Sequence, residues 1–257
     1  MILEHIYDLA LPRLAGKNIR EVMIGLNLIA VELDGGAIGV TYVLKKEIDH
    51  ACMALPQAGS LVGMPAGEIA GWALQSKNVI AVAIGLAVLN SVAEFDKLKQ
   101  DNQSNGVDAA LSVEVKPTDT IGIVGNIRPL IADLKNKVQR LLIFERGEGN
   151  HGQVNPESAE PELLPECQVV YISSTSLINN TLEDVLNYCT GARDVVMVGS
   201  STPLYPDAFR GSRVTVLSGT NWLPSNRDAI FSGISQCAGI QHLIKYGQKM
   251  SVKVPGA

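Results

Sequence analysis

From about residue 120 onward the chain repeats one short phrase: a run of apolar, β-branched residues, a polar turn, then a stretch of helical spacing. The runs are Thr120–Val124, Leu141–Glu145, Val169–Ser173, Val195–Gly199 and Val214–Ser218. They do not alternate apolar with polar residues, which is the mark of strands covered on both faces. Intervening segments such as Pro129–Lys137 and Leu182–Tyr188 read as helices. Strands and helices in this order predict a doubly wound parallel sheet. One segment breaks the phrase: Arg146 to Glu166 carries three prolines and glutamates at 148, 157, 160, 162 and 166 against one arginine. Its composition predicts a solvated loop or lid. The tail after Gln248 is expected to be loosely held.

The first hundred residues follow a different grammar. Ile2, Leu3, Ile6, Leu9 and Ala10 share one helix face, and that helix should end near Gly16. Two β-rich runs, Val22–Leu33 and Ala37–Leu44, flank Asp34-Gly35-Gly36, a turn that tolerates positive φ, and so predict a hairpin. From Pro65 the pattern becomes helical, over Ala66–Ser76 and then Val79–Lys99, whose first half is apolar all round and therefore buried. A hairpin followed by helices makes an α+β unit. The polar stretch Gln100–Gly106 has turn chemistry and no periodicity, which places the boundary between two units there, as 1–107 and 108–257.

Composition narrows the function classes. With 21 basic and 26 acidic residues the net charge is −5, and no stretch gathers Lys and Arg with aromatics, so no nucleic-acid partner is expected. The most apolar window, Val79–Ala93, is shorter than the roughly 20 residues that span a bilayer, so no membrane insertion is expected. Cys52, Cys167, Cys189 and Cys237 lie far apart without a C-x-x-C pair, which disfavours a zinc knuckle and a disulfide framework alike. With no apolar leader at Met1, these features lead to the expectation of a cytoplasmic protein.

In open parallel sheets ligands bind at the carboxyl ends of strands. The first such end here is Gly122-Ile-Val-Gly125-Asn126-Ile-Arg-Pro129, where Asn126 could cap the following helix. It lacks the third glycine of G-x-G-x-x-G, so there is no NAD fingerprint. Glu145 ends the second run, 20 residues after Gly125, the spacing at which adenosine-binding folds place a carboxylate for ribose. The third run enters Ser173-Ser-Thr-Ser-Leu-Ile-Asn179-Asn180-Thr181, of which Asn179 or Asn180 could cap a helix with Glu183 completing a capping box. The fourth enters Gly199-Ser200-Ser201-Thr202-Pro203, a glycine turn with three hydroxyls and a proline at a helix start, suited to a carboxylate or phosphate. An ordinary helix start is the competing reading at the first and fourth ends and the start of a solvated loop at Glu145, while the hydroxyl and amide residues of the third end exceed what capping needs. Asn90 interrupts the apolar helix and must either pair with core backbone or face a cleft. His50-Ala-Cys52 offers two metal-ligand types but no third partner at a matching spacing.

The series Ile84–Ser91, Ile121–Asn126, the strand ending at Glu145, Ser174–Glu183 and Val196–Pro206 resembles the putative heavy-metal chelation domain family of bacteria and archaea. Gly25–Tyr42 and Leu61–Ser76 resemble its accompanying N-terminal domain. The resemblance implies an α/β protein in which an enolase N-terminal-like α+β domain precedes an atypical Rossmann-like domain, with a site in the cleft between them. Two positions depart from the family's pattern, Asn126 and Ser200. The combined expectation is a protein that handles a small polar or anionic molecule or a metal chelate. Glu145 would be general base or metal ligand, and Asn90, Gly125, Asn126, Asn179, Thr181, Gly199, Ser200, Ser201 and Thr202 would bind the ligand. A metal ion remains open as cofactor. Two alternatives stand beside this reading: a non-catalytic metabolite-binding module, and an adenosine-cofactor transferase.

Overall fold

The structure, a computed structural model, describes residues 1–48, 54–101, 112–146 and 154–256. The sequence motif His50-Ala-Cys52 and the boundary at 107/108 lie outside them. Helix α1 (Ile2–Leu14) is followed by strands β1 (Ile19–Ile24), β2 (Leu28–Leu33) and β3 (Ile38–Tyr42), then α2 (Ala66–Gln75), α3 (Val79–Ser91) and α4 (Phe95–Asp101). Next come β4 (Thr120–Val124), α5 (Arg128–Leu134), β5 (Arg140–Glu145), β6 (Asn155–Pro156), α6 (Glu160–Leu163), β7 (Val169–Ser173), α7 (Leu182–Tyr188) and β8 (Asp194–Val198). Strand β9 (Val216–Trp222), α8 (Arg227–Ser235), α9 (Ile240–Leu243) and β10 (Gly247–Lys253) complete the order. The fold is α/β, with a three-stranded antiparallel sheet β1-β2-β3 and a separate seven-stranded sheet in the order β10-β9-β8-β7-β4-β5-β6.

In the large sheet β4, β5, β7, β8 and β9 run parallel, as their apolar runs predict. Their side chains divide by the period of two. Ile121, Ile123, Val169 and Tyr171 pack with Leu130 and Leu134 of α5 on one face. Phe144, Val170 and Ile172 pack on the other face, in the core that also holds α1, α2 and α3. The chain leaves β4 for β5 on one side and returns to β7 on the other, so a topological switch point lies at β4.

Helix α3 starts where Asn78 Oδ1 accepts from the N–H groups of Ile80 and Ala81, at 2.9 and 3.2 Å. From Ile80 to Ser91 every residue is buried. Val79–Lys99 is not one helix, however. Ser91 Oγ donates to Val88 O, and Arg13 takes the Val92 carbonyl, so the ladder stops before α4.

Three further expectations are corrected. The run Val22–Leu33 is two strands, because the chain turns at Gly25-Leu26-Asn27, and the hairpin becomes a meander. A Cβ on Gly25 would lie 2.4 Å from the Ile234 carbonyl oxygen, so this turn presses on α8. The tail is an edge strand antiparallel to β9, with Met250 and Val252 buried. From residue 154 onward the acidic segment is packed: Asn155 Nδ2 donates to Ile143 O, and Glu160 and Leu164 are buried. A loop reading overlooked that Leu163, Leu164 and Cys167 supply an apolar face.

The small sheet is covered twice. Helices α2 and α3 pack on one face; on the other, Leu28, Ala30, Ile38 and Val40 meet Trp222, Ile230, Phe231, Ile234 and Leu243. This explains why every residue of β2 is buried. The contact is pinned by Arg227, which donates to Glu32 and Glu21 while its guanidinium lies 4.7 Å from the Phe231 ring centroid.

Candidate functional site

At the carboxyl edge of the large sheet, neighbouring strand ends touch in sequence. Glu145 Oε2, at the end of β5, accepts from the Asn126 N–H at 2.8 Å. Gly125, beyond β4, has φ +99°, and a Cβ there would lie 2.9 Å from Ser173 Cβ at the end of β7. Gly199, beyond β8, has φ +133°, and a Cβ there would lie 2.7 Å from Ser174 Oγ. Both positions need glycine for conformation and for space. The result is one continuous rim running from Glu145 through Asn126, Gly125 and Ser173 to Ser174 and Gly199.

The next residues join this rim to the small-sheet layer. Ser201 Oγ accepts from the Tyr42 N–H at 2.9 Å, and Asn90 Nδ2 donates to Ser201 O at 3.1 Å. Tyr205 OH donates to Leu89 O at 2.6 Å. Asn90 thus meets the glycine-serine turn, as a buried amide facing an interface would. Beyond them lies a charged clasp. Glu47 Oε1 accepts from Asn179 Nδ2 at 3.2 Å and from Arg146 at 3.3 Å, while Arg146 also grips Glu157 through two nitrogens. Thr181 Oγ1 donates to Asn179 Oδ1 at 2.9 Å.

Several local roles differ from expectation. Asn126 caps nothing with its side chain: the N-cap of α5 is Ile127, and Asn126 is held through its backbone instead. Neither Asn179 nor Asn180 caps α7, whose N-cap is Thr181; Asn180 takes a positive φ in the turn, and Glu183 accepts from Ile2 N rather than closing a capping box. Pro203 starts no helix, since the chain first coils at Pro206–Phe209, in a short 3-10 turn. Carrying residues 200–205 along the seam with α3 keeps their side chains in contact with the first half of the molecule.

The seam is unusual in its polar accounting. Among the described residues, Asn90 Oδ1, Ser174 Oγ, Ser200 Oγ and Thr202 Oγ1 are buried without a hydrogen-bond partner in and beside the seam, as are Ser176 Oγ, Tyr171 OH and Trp222 Nε1 elsewhere. The N–H groups of Ser200 and Ser201 also find no acceptor there. A buried polar group left unpaired costs about 1–3 kcal/mol, so each of these oxygens calls for a partner that the described side chains do not supply. The sequence named Asn90, Ser200 and Thr202; Ser174 and Ser176 were within its hydroxyl-rich stretch but not singled out. Glu47, Arg146 and Tyr42 were missed, because partners far apart in sequence leave no local signal.

The chain belongs to the DUF364 family. A model of that family, described as "Putative heavy-metal chelation", matches residues 108–253, and a second model with the same description, DUF4213, matches residues 7–93. An uncharacterized protein of Methanocaldococcus jannaschii is 28% identical over 159 residues, 61% of this chain and 60% of that protein. The match thus spans about three fifths of the curated relative's length. Two crystal structures of family members with unknown function share the fold. One, from Pyrococcus horikoshii, is 22% identical with a TM-score of 0.82, covering 99% of this chain and 100% of that one. The other, from Desulfitobacterium hafniense, is 23% identical with a TM-score of 0.76, covering 97% and 98%.

The side chains at the rim can be tested against the family's description. Soft heavy metals select thiolate and imidazole ligands. The seam offers neutral hydroxyl and amide oxygens, and the described residues contain no group of three or more His, Cys, Asp or Glu placed to hold an ion. Burial pushes the thiols of Cys167 and Cys189 up to about 12, and both donate to backbone carbonyls, those of Leu163 and Val185. The described donor set does not fit a bare heavy-metal ion. Among the described residues, no titratable side chain is hydrogen-bonded to Glu145. No described helix is long and apolar enough to cross a membrane.

Proposed function

We propose that the protein binds a small polar, anionic molecule, or a metal ion already wrapped in such a molecule, at the seam between the β8 loop and α3. The observation that carries this reading is the group of buried, unpartnered oxygens of Asn90, Ser174, Ser200 and Thr202 around the Gly199 turn. Hydroxyls donate to carboxylate or phosphate oxygens and accept from ligand hydroxyls, and the free N–H groups of Ser200 and Ser201 add two fixed donors for negative charge. The Asn90 carbonyl oxygen would take a donor from the ligand or contact its metal. Gly125, Asn126, Asn179 and Thr181 would shape the adjoining rim.

Binding is favoured over catalysis by the state of Glu145. One carboxylate oxygen is committed to the Asn126 N–H, and no described acid or base shares it. Glu145 therefore serves as a positioning residue for the β4 loop, and Gln in its place would retain an acceptor.

The test is native mass spectrometry of protein purified without chelators, comparing the parent with the Ser200→Ala/Thr202→Val variant. A mass adduct on the parent that the variant loses is the expected result. An adduct retained in full by the variant, or no adduct on the parent even after incubation with cell metabolite extract, would rule the seam out as the site.

A further inference from the structure

A second feature lies apart from the hydroxyl seam: a groove of about 400 Å³ between the end of α1, α4 and the segment Leu204–Asp207, bordered by the end of β10. Its volume is within the range of small-molecule sites. Leu9, Leu98, Leu204 and Pro206 give it apolar walls, and four cations line it, Arg13, Lys97, Arg210 and Lys253.

Two carboxylates line the same groove, Glu94 and Asp207, and their pairing is uneven. Glu94 serves Arg13 at 2.8 Å and Lys97 only at 3.8 Å. Asp207 is taken by Arg210 at 2.8 Å. Lys253 has no carboxylate partner among the described residues. The groove therefore carries two surplus positive charges on a chain whose net charge is −5. Like charges gathered in a concave, partly apolar site raise the local potential and repel one another until a counter-charge arrives. Arg13 is preorganised for that encounter: the Val92 carbonyl and Glu94 hold its guanidinium, which lies 5.8 Å from the Tyr205 ring centroid.

We infer that this groove is a second ligand site, one that takes a small molecule with a compact head bearing two or more negative charges. Phosphate and carboxylate heads share that chemistry. The cations differ in reach: Arg13 is a fixed fork, while Lys97, Arg210 and Lys253 close from the exposed side. The site shares the residue 199–205 segment with the hydroxyl seam but none of the seam's unpartnered groups, so the two can be tested separately.

Calorimetric titration of the full chain with inorganic pyrophosphate and with citrate at low ionic strength decides the matter. Saturable binding of at least one probe is expected, at millimolar affinity or tighter, and the probe that binds identifies the head group. Each exposed ion pair is worth up to about 1 kcal/mol, or roughly fivefold, so Lys253→Ala/Arg210→Ala should weaken binding by about tenfold or more. Added salt should weaken it as well. The binding event weakened by Lys253→Ala/Arg210→Ala should persist in Ser200→Ala/Thr202→Val, which separates it from any binding of the same probes at the seam. Absence of binding by both probes at ~10 mM, or an affinity untouched by the Lys253/Arg210 substitutions, would overturn the inference.

Discussion

Where α8 lies on the small sheet, Leu28, Val40, Ile230 and Phe231 form a dry contact, and the buried Glu32 carboxylate is matched by Arg227 at 2.9 Å and Arg20 at 3.1 Å. Among the described residues, apart from the Trp222 indole N–H, its buried polar side-chain atoms are paired. A few elements away, where the β8 loop meets α3, the two halves of the chain touch through Asn90, Ser200, Ser201 and Thr202, and most of those side-chain oxygens are buried and unpaired. Both contacts join the first half of the chain to the second. Only one resembles an interior finished for stability. The difference separates a contact whose polar groups are matched from one whose oxygens stay unpaired, the site proposed here for a ligand.

That contrast can be broken by substitution. Phe231→Ala empties the dry contact and should cost about 3–5 kcal/mol in equilibrium unfolding. Arg227→Ala leaves Glu32 with Arg20 alone; breaking a buried pair costs about 3–5 kcal/mol, and the remaining partner should hold the loss near the lower figure. A cost below about 1 kcal/mol for both would show that the dry contact does not hold the layers.

A smaller effect sharpens the picture beside the charged clasp. Burial, aided by the nearby Glu157 and opposed by Arg146, raises the Glu160 carboxyl from its ordinary 4.5 to about 7. Between those pH values the folded chain keeps a proton that the unfolded chain has released. The group's contribution to stability is full below about pH 4.5 and declines as pH rises towards 7, by up to about 3 kcal/mol. Glu160→Gln should therefore unfold at higher denaturant than the parent at pH 8 and close to it at pH 4.5. An unchanged difference between the two pH values would remove Glu160 as the cause.

The least effect on stability is expected in the hydroxyl seam. Ser174→Ala removes an oxygen with no partner, so unfolding should shift by less than about 1 kcal/mol in either direction. A loss of 2 kcal/mol or more would mean that Ser174 is paired in the folded protein.

Much of the scaffold was legible because local chemistry marks it. Thr120–Val124, Val169–Ser173 and Leu182–Tyr188 match their elements end to end, since the β-branched runs stop at Gly125 and at Ser173, and the helical spacing starts after Thr181. The turn at Gly25–Asn27 was hidden inside an otherwise apolar stretch. Strand β10 was missed because Gln248-Lys-Met-Ser-Val-Lys253 alternates polar and apolar residues, the pattern of an edge, and its partner β9 supplies half of its structure. In the site, Asn90 was readable as an amide set among apolar neighbours. The Glu47–Arg146–Glu157 clasp was not, because Glu47 and Arg146 stand 99 residues apart and only the fold brings them together. Glu145 read as a general base or metal ligand because its pairing with the Asn126 N–H depends on strands β4 and β5 lying side by side.

The most direct test of the account measures the stability of Ser200→Ala/Thr202→Val by urea unfolding, free of any bound small molecule. Both substitutions keep shape and remove hydroxyls that the folded protein leaves unpaired. The account predicts a midpoint equal to or above the parent's at the same slope. A loss of more than about 2 kcal/mol would show that these hydroxyls are paired within the fold, and would contradict the claim that the seam is completed by a ligand.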